Sequence, residues 1–323
     1  MDYIVLDLEW NQGTVRDTNE EIPFEIIEIG AVKVNENYDI VSRFNRLINP
    51  VIYPEIYGKI SDVIPIEQEE LEKYGETFPQ VINDFFDWCG EKYMFCTWGP
   101  MDLSELQRNM DYYKITNPFK CPLLFYDIQK LFSLSYEDGK IRRSLEYAVE
   151  ALGFFEDRPF HRAAEDAYYT ALVMKTLDMQ KFEKYLSVDY HRVPRNRSEE
   201  IYMVFDNYSK FVSREFTSKE DALVDKGVHA TVCYLCGKSV KKKVRWFSCN
   251  SKSYLCLSYC PVHGWLKGKI RMKKPDNSSG VFVVKTLKLV DEEQARMVMK
   301  KKDELRLKRR AKRQQDGEKN PPR

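Results

Sequence analysis

Asp7 and Glu9 stand two residues apart in Tyr3-Ile-Val-Leu-Asp-Leu-Glu-Trp10, a run whose apolar spacing predicts a strand. Side chains on a strand alternate faces, so both carboxylates point the same way, roughly 7 Å apart along the chain. Ile4, Leu6, Leu8 and Trp10 make the opposite, core-facing set. Two carboxylates side by side on a buried strand repel, and one protonates unless cations sit between them. Mg²⁺ (or Mn²⁺) suits such a site, because it takes hard oxygen ligands and keeps positions for water and phosphate. Two such ions about 4 Å apart can stabilise both the attacking and the leaving oxygen of a phosphodiester. Further acidic residues occur at Asp102, in Thr97-Trp-Gly-Pro-Met-Asp102, and at Asp166, in His161-Arg-Ala-Ala-Glu-Asp166. A step of five residues turns about 140° on a helix, too wide for one face. His161 is therefore expected in the loop after Pro159, and Asp166 in the first turn of the helix that follows.

Each of these residues has an alternative role. Asp102 also suits a helix N-cap, Glu105 is its close rival, and Glu165 neighbours Asp166. Trp98 ends the strand before Asp102; it can pack in the core or stack on a base of a single-stranded end.

A second constellation lies near the other end. Cys233-Tyr-Leu-Cys236-Gly and Cys260-Pro-Val-His263-Gly each place two ligands around a tight turn and follow them with a glycine, which permits the backbone such a turn needs. The expected product is a closed Cys₃His site for a structural Zn²⁺. Cys249 and Cys256 fall between the two turns; core thiols are the favoured reading, with alternative ligands or a further partial site as the others. Around them, Lys241, Lys242, Lys243 and Arg245 interleave with Trp246 and Phe247, and Lys273 and Lys274 follow Trp265. Basic residues mixed with aromatics suit single-stranded or structured RNA.

The elements that must position these groups are legible in outline. Strands are expected at residues 3–10, 24–34, 41–48, 93–98, 123–126 and 281–290, and helices at 80–89, 101–112, 144–152 and about 164–181. Ser144 is the expected cap of the third helix and Gly153 its stop. Residues 51–79 are broken by proline and glycine, and residues 201–215 read as one helix or a strand pair. An initial antiparallel run followed by alternating strands and helices predicts an α/β fold, a mixed sheet with helices on both faces. The domains are read as 1–185 for that fold, 186–226 as a connector, 227–290 as a basic zinc-bearing module, and 291–323 as a charged helical tail frayed by Gly317, Pro321 and Pro322.

A net charge of +1 conceals a split: residues 1–225 hold 25 Lys and Arg against 42 Asp and Glu, whereas residues 226–323 hold 26 against 8. The second part is suited to a polyanion. Eight cysteines, five of them within residues 233–260, combine with a start lacking a basic leader to favour a metal site over disulfides. No apolar run has the length of a membrane span, so the default location is cytoplasmic.

Asp7-x-Glu9, Asp102 and His161-x4-Asp166 resemble, in order, the three motifs of the DEDDh 3′→5′ exonucleases, over roughly residues 1–180. Phe24-Glu-Ile-Ile-Glu-Ile-Gly-Ala-Val-Lys-Val34, Phe78-Pro-Gln-Val81 and Ser144-Leu-Glu-Tyr147 sit where that family places its second strand and helices. Within the family the chain looks most like the Eri-type exoribonucleases and their bacterial relatives. The resemblance implies an RNase H-like fold, two Mg²⁺ ions held by Asp7, Glu9, Asp102 and Asp166, and His161 as general base. It also implies release of nucleoside 5′-monophosphates from nucleic acid 3′ ends, with RNA preferred. A DNA 3′ exonuclease, or a nucleic-acid-binding regulator with an incidental nuclease fold, are the competing readings. One departure stands out: Trp10-Asn11-Gln12-Gly13 follows the first motif where many relatives carry small Thr/Gly residues.

Overall fold

The computed structural model describes residues 1–14, 19, 21–61, 63–155, 158–275 and 278–319. Two compact units divide the chain, residues 1–191 and 192–323.

The first unit is built on β1 (Asp2–Gln12), β2 (Phe24–Val34), β3 (Ile40–Leu47), β4 (Tyr93–Thr97), β5 (Leu124–Asp127) and β6 (Ser187–Val188). Their order across the sheet is β3-β2-β1-β4-β5-β6. The first three strands pair antiparallel, β1-β4-β5 pair parallel, and β6 closes the edge antiparallel. This is the RNase H-like mixed sheet expected from the sequence. Its helices are α1 (Gly58–Ser61), α2 (Gln68–Tyr74), α3 (Phe78–Cys89), α4 (Met101–Tyr112), α5 (Ile128–Tyr136), α6 (Leu145–Ala151) and α7 (Ala163–Lys175). Period-two alternation in β1 sorts the cores. Ile4, Leu6 and Leu8 pack with α3 and α4, whereas Val5 faces α5, α6 and α7. The odd face continues into Asp7 and Glu9, so the acidic end of β1 lies on the side of the sheet that carries α7.

Two details differ from the sequence reading, and one open choice is decided. The last helix of this unit stops at Lys175 rather than near 181; the chain then turns so that Leu177, Met179 and Phe182 bury against the second core. Residues 187–188 belong to the first sheet, and Asp189 accepts from Ser104 Oγ (2.6 Å) and Gln107 Nε2 (2.8 Å), fastening the segment to α4. Of the two readings left open for residues 201–215, the structure takes the strand pair, over residues 201–212.

That pair belongs to the second unit: β7 (Ile201–Val204), β8 (Tyr208–Val212), α8 (Lys219–Val224), α9 (Lys226–His229), β9 (Lys241–Ser248), β10 (Ser253–Cys260), β11 (Gly264–Lys273), β12 (Phe282–Val290) and α10 (Glu292–Lys319). Six antiparallel strands run β7-β8-β12-β11-β10-β9; β7, β8 and α8 fall within residues 186–226, the stretch read from sequence as a connector. One face packs against α8 and α9 through Ala222, Val228, Tyr254, Ile270 and Val283. Lys285, buried, donates to the carbonyls of Gly227 (2.6 Å) and Ala230 (2.9 Å) and ties α9 to the sheet. α10 runs on through Gly317, while Pro321 and Pro322 lie outside the described residues. Among the described residues, no helix is long and apolar enough to cross a membrane.

Candidate active site and metal centre

Parallel pairing of β1 with β4 ends at Val5 opposite Cys96. Beyond that point the two strands part and the backbone of β1 is open on that edge. Asp102, in the first turn of α4, fills the gap: it is 6% exposed and accepts the backbone N–H of Leu8 as well as its own. The N-cap position belongs to Pro100 and makes no side-chain cap, so the capping role of Asp102 is not the one observed. Glu105 turns to Arg108 instead (3.2 Å).

On β2, Glu28 and Gly30 stand directly opposite Glu9 and Asp7. Gly30 is where α7 meets the sheet: a Cβ there would lie 2.0 Å from Ala163 C and Ala164 N. Glu28, fully buried, accepts the first helical N–H of α7, from Ala163 (2.9 Å), and two bonds from Arg162 (3.0 and 3.2 Å). It is a cap supplied from another strand, satisfying an end that no side chain of its own helix caps. Arg162 also reaches Glu70 (3.1 Å). Glu28 and Gly30 lie in a stretch noted in the sequence, but their work on α7 was missed there.

This docking aims Asp166 at β1, while Glu165 turns away to Arg158 (2.6 Å). His161 precedes the helix in a left-handed conformation (φ 62°). Its backbone N–H donates to Asp166 Oδ2 (3.1 Å), and its imidazole Nε2 lies 3.3 Å from Glu146 Oε1. Donor atoms of Glu9, His161 and Asp166 lie within 4.8 Å of one another. Asp7 and Asp102 stand outside that close set, but their charges act on it.

Burial, then the charges of Asp166, Glu28 and Asp102, push Glu9 up to about 8. Burial also raises Asp102 to about 7, against the hydrogen bonds from its own and the Leu8 N–H. Asp166 rises to about 7 for the same first reason, opposed by the His161 N–H. Asp7 is pushed well above the carboxylate range by burial and by Asp102, Asp166 and Glu9. Two unit charges 5 Å apart at an effective dielectric near 20 repel by roughly 3 kcal/mol. Four carboxylates cannot all remain ionised here without cations. Asp166 Oδ1 is buried and accepts no hydrogen bond among the described residues, an orphaned acceptor that divalent cations would satisfy. The donor set is all oxygen with one imidazole, and it fits Mg²⁺ or Mn²⁺.

The same shifts set a pH dependence. Carboxyls near 4 in the unfolded chain and near 7 to 8 in the folded one bind more protons when folded. Without Mg²⁺ or Mn²⁺, stability should therefore fall as pH rises from about 4 to about 8. Thermal melts at pH 5 and pH 8 should show the higher midpoint at pH 5, with Mg²⁺ narrowing the gap. Equal midpoints without the metal would mean that the cluster is not strained.

At the far end of β1, Asn11 is fully buried. It donates to the carbonyls of Tyr53 (2.9 Å) and Glu55 (2.8 Å) and accepts from Tyr57 N (3.0 Å). The departure after the first motif is thus a lock on the 52–58 loop, beside a cleft of about 380 Å³ lined by Gln12, Gly13, Thr14 and that loop. Trp10 packs on Phe24. Trp98 is half-buried, donates to the Arg143 carbonyl (3.2 Å) and packs on Phe132.

The model of the exonuclease family RNase_T matches residues 4–174, a little over half of the chain. The chain belongs to the RNase_T exonuclease family. No curated protein matches it in sequence. Among solved structures, this exonuclease is similar to the nuclease domain of 3′hExo, a DEDDh family member, bound to rAMP. The identity is 22%, over 58% of this chain and 96% of that one, with a TM-score of 0.48. It is also similar to cell-death related nuclease 4 (18% identity, 61% and 73% of the two chains, TM-score 0.46). A third is E. coli Exonuclease I in complex with a dA16 oligonucleotide (15% identity, 80% and 54%, TM-score 0.48).

In the second unit of this exonuclease, Cys233, Cys236, Cys260 and His263 converge within 4.8 Å. Cys233 Sγ to His263 Nδ1 is 3.4 Å, Cys236 Sγ to Cys260 Sγ 3.8 Å, and Cys260 Sγ to His263 Nδ1 3.7 Å. Zn–S bonds of about 2.3 Å at tetrahedral angles put sulfurs about 3.8 Å apart, and the three separations above are close to the edge lengths of such a tetrahedron. Gly237 and Gly264 take positive φ (68° and 86°) just after each pair, as the turns require. N–H groups of Val262 and His263 aim at the Cys260 sulfur, which falls to about 6 although burial opposes it. Cys256 is buried, its thiol pushed up to about 12 by burial; Cys249 is half-buried in the β9–β10 turn. Neither joins the cluster among the described residues. If the cluster holds zinc, Cys260→Ser should lose about one equivalent of it by metal analysis and destabilise the second unit, since structural zinc contributes on the order of 10 kcal/mol. A folded, zinc-replete variant would sink the assignment.

Proposed function

We propose that this chain is a divalent-metal-dependent exonuclease that shortens RNA from the 3′ end, one nucleoside 5′-monophosphate at a time. The observation that carries the reading is the meeting of Glu9, His161 and Asp166, with an orphaned carboxylate oxygen on Asp166 and two more strained carboxyls, Asp7 and Asp102, beside them. Asp7, Glu9, Asp102 and Asp166 would hold two Mg²⁺ or Mn²⁺ ions. Bound there, the ions supply Lewis-acid stabilisation of the charge on the phosphodiester oxygens.

His161 acts as general base. Its left-handed backbone leaves the imidazole half-exposed at the mouth of the cluster, where it takes a proton from the attacking water. The water oxygen bonds to phosphorus, the bond to the 3′ oxygen breaks, and that oxygen leaves with a proton as the new 3′ end. Preference for RNA rests on the resemblance of motif order and setting to the Eri-type exoribonucleases. The second unit, with a Zn²⁺ in its Cys₃His cluster, would hold the strand through its basic residues. Lys241, Lys243, Arg245, Lys273 and Lys274 are exposed and Lys242 half-buried.

The test is a time course on 5′-labelled single-stranded RNA and its DNA counterpart, with Mg²⁺, Mn²⁺ or EDTA, beside His161→Ala. A metal-dependent ladder shortening from the 3′ end is expected, faster on RNA, and slowed about 10²- to 10⁴-fold in the variant. Faster DNA cleavage would reassign the substrate. Intact substrate under every metal would leave a nucleic-acid-binding protein on a nuclease fold.

A further inference from the structure

The face of the second sheet that carries α10 is also its cationic face. Cross-strand pairing runs one row of side chains from Lys210 through Thr286, Lys269 and Leu255 to Phe247. The adjacent row runs from Lys288 through Lys267 and Leu257 to Val244. Lys267 and Lys288 stand directly opposite each other, a placement that costs stability for like charges. Lys269 is half-buried and is drawn below the usual lysine range by burial, and then by Arg271, Lys267 and Lys301. Folding gains nothing from this crowding, whereas an anion laid over the face would relieve it.

α10 rests on the same face through Ala295 and Val298 against Val244 and Leu257. Where the helix passes β9 it leaves a cleft of about 490 Å³ lined by Phe247, Lys302, Arg306, Arg309 and Arg310. The four charged residues are all cations, and no carboxylate is among them. Arg309 also donates to the Ser248 carbonyl, which holds the helix over the end of β9. Lys302 is half-buried and the arginines are exposed, so the charges border an open channel with an aromatic ring in its wall.

We propose that this cleft binds a single strand of nucleic acid, with Lys302, Arg306 and Arg310 on its phosphates and an unpaired base against Phe247. A strand is favoured over a duplex because an aromatic wall is useful only to bases free to stack, and the cationic row continues along the sheet as a backbone track would require. The site was not visible in the sequence, where residues 291–323 read as a charged helical tail: the groove exists only because α10 packs over β9. The proposal rests on the nuclease reading above and names residues of the second unit through which that enzyme grips its substrate.

The test compares Lys302→Gln/Arg306→Gln/Arg310→Gln with its parent, in the full chain carrying Asp7→Asn to suppress cleavage. Binding of a labelled 20-nucleotide RNA, of the matching DNA, and of anionic vesicles is measured from 0.05 to 0.3 M salt. The triple variant should bind the oligonucleotides at least tenfold more weakly at 0.1 M salt. Its slope of log K against log salt should be shallower by about 2, since each phosphate contact on a single strand contributes about 0.7. Phe247→Leu should weaken binding with the slope unchanged. In the chain with intact Asp7, the triple variant should cleave a dinucleotide at the parent rate. Unchanged affinity and slope would overturn the proposal, as would a loss confined to the vesicles. If the chain with intact Asp7 cleaves nothing under any metal yet the triple variant shows these binding changes, the nuclease reading fails and the cleft stands. If it cleaves and the triple variant binds like its parent, the reverse holds.

Discussion

Asp7→Asn should reduce cleavage by at least about 10³-fold and, in the same molecule without metal, raise the melting temperature. The two effects have one cause. Asp7 is held well above the carboxylate range by burial and by the charges of Asp102, Asp166 and Glu9, so its ionised form is costly until cations arrive. An amide of the same shape needs neither an ionised form nor a proton taken up on folding, a relief of roughly 1–2 kcal/mol, or about 5 °C for a unit of this size. It also removes an anionic ligand on which the affinity for divalent ions depends. Added Mg²⁺ should therefore stabilise the parent more than the variant. Calorimetry with and without Mg²⁺, beside the cleavage assay, reads both. An inactive variant that melts lower than its parent without metal would show that Asp7 serves the fold rather than a strained site.

Gly30→Ala should cost activity from a position that touches neither metal nor substrate. Its Cβ would lie 2.0 Å from backbone atoms of Ala163 and Ala164, and backbone at the start of a helix cannot swing aside as a side chain can. α7 must lift from β2, carrying Asp166 in its first turn and His161 just before it. The strain should lower stability by roughly 3 kcal/mol, and a displacement near 1 Å should slow cleavage about 100-fold or more. Gly58→Ala is the control, because a Cβ there meets nothing within 4 Å, and it should melt like the parent. A Gly30→Ala chain with full activity would mean that α7 is seated on something other than the contact seen here.

The sequence reading recovered the local parts and missed the supports. Alternation in residues 3–10 placed Asp7 and Glu9 on one face of a strand, and the Cys-x-x-Cys and Cys-x-x-His turns placed four ligands around one point, because both patterns are set by backbone geometry over a few residues. Residues 201–212 were harder. Strands of four and five residues carry too short a pattern to distinguish from a helix, and what stabilises them is pairing of β8 with β12, some 70 residues away. The early stop of α7 at Lys175 has a similar origin, since Leu177, Met179 and Phe182 leave the helix to fill the second core.

The types and order of the reactive groups were thus determined by the sequence alone: the carboxylates at 7, 9, 102 and 166, the histidine at 161, and the Cys₃His set. Tertiary structure alone decided what holds them at working distance. Glu28 caps α7 across 135 positions, Gly30 sets how close that helix comes, and Glu146 on α6 meets the imidazole of His161. Asp102 finds its backbone donor only where β1 and β4 separate. A residue's own chemistry is written in its type and near neighbours. Its strain and its orientation come from packing partners that share no local pattern with it, and those exist only once the chain has folded.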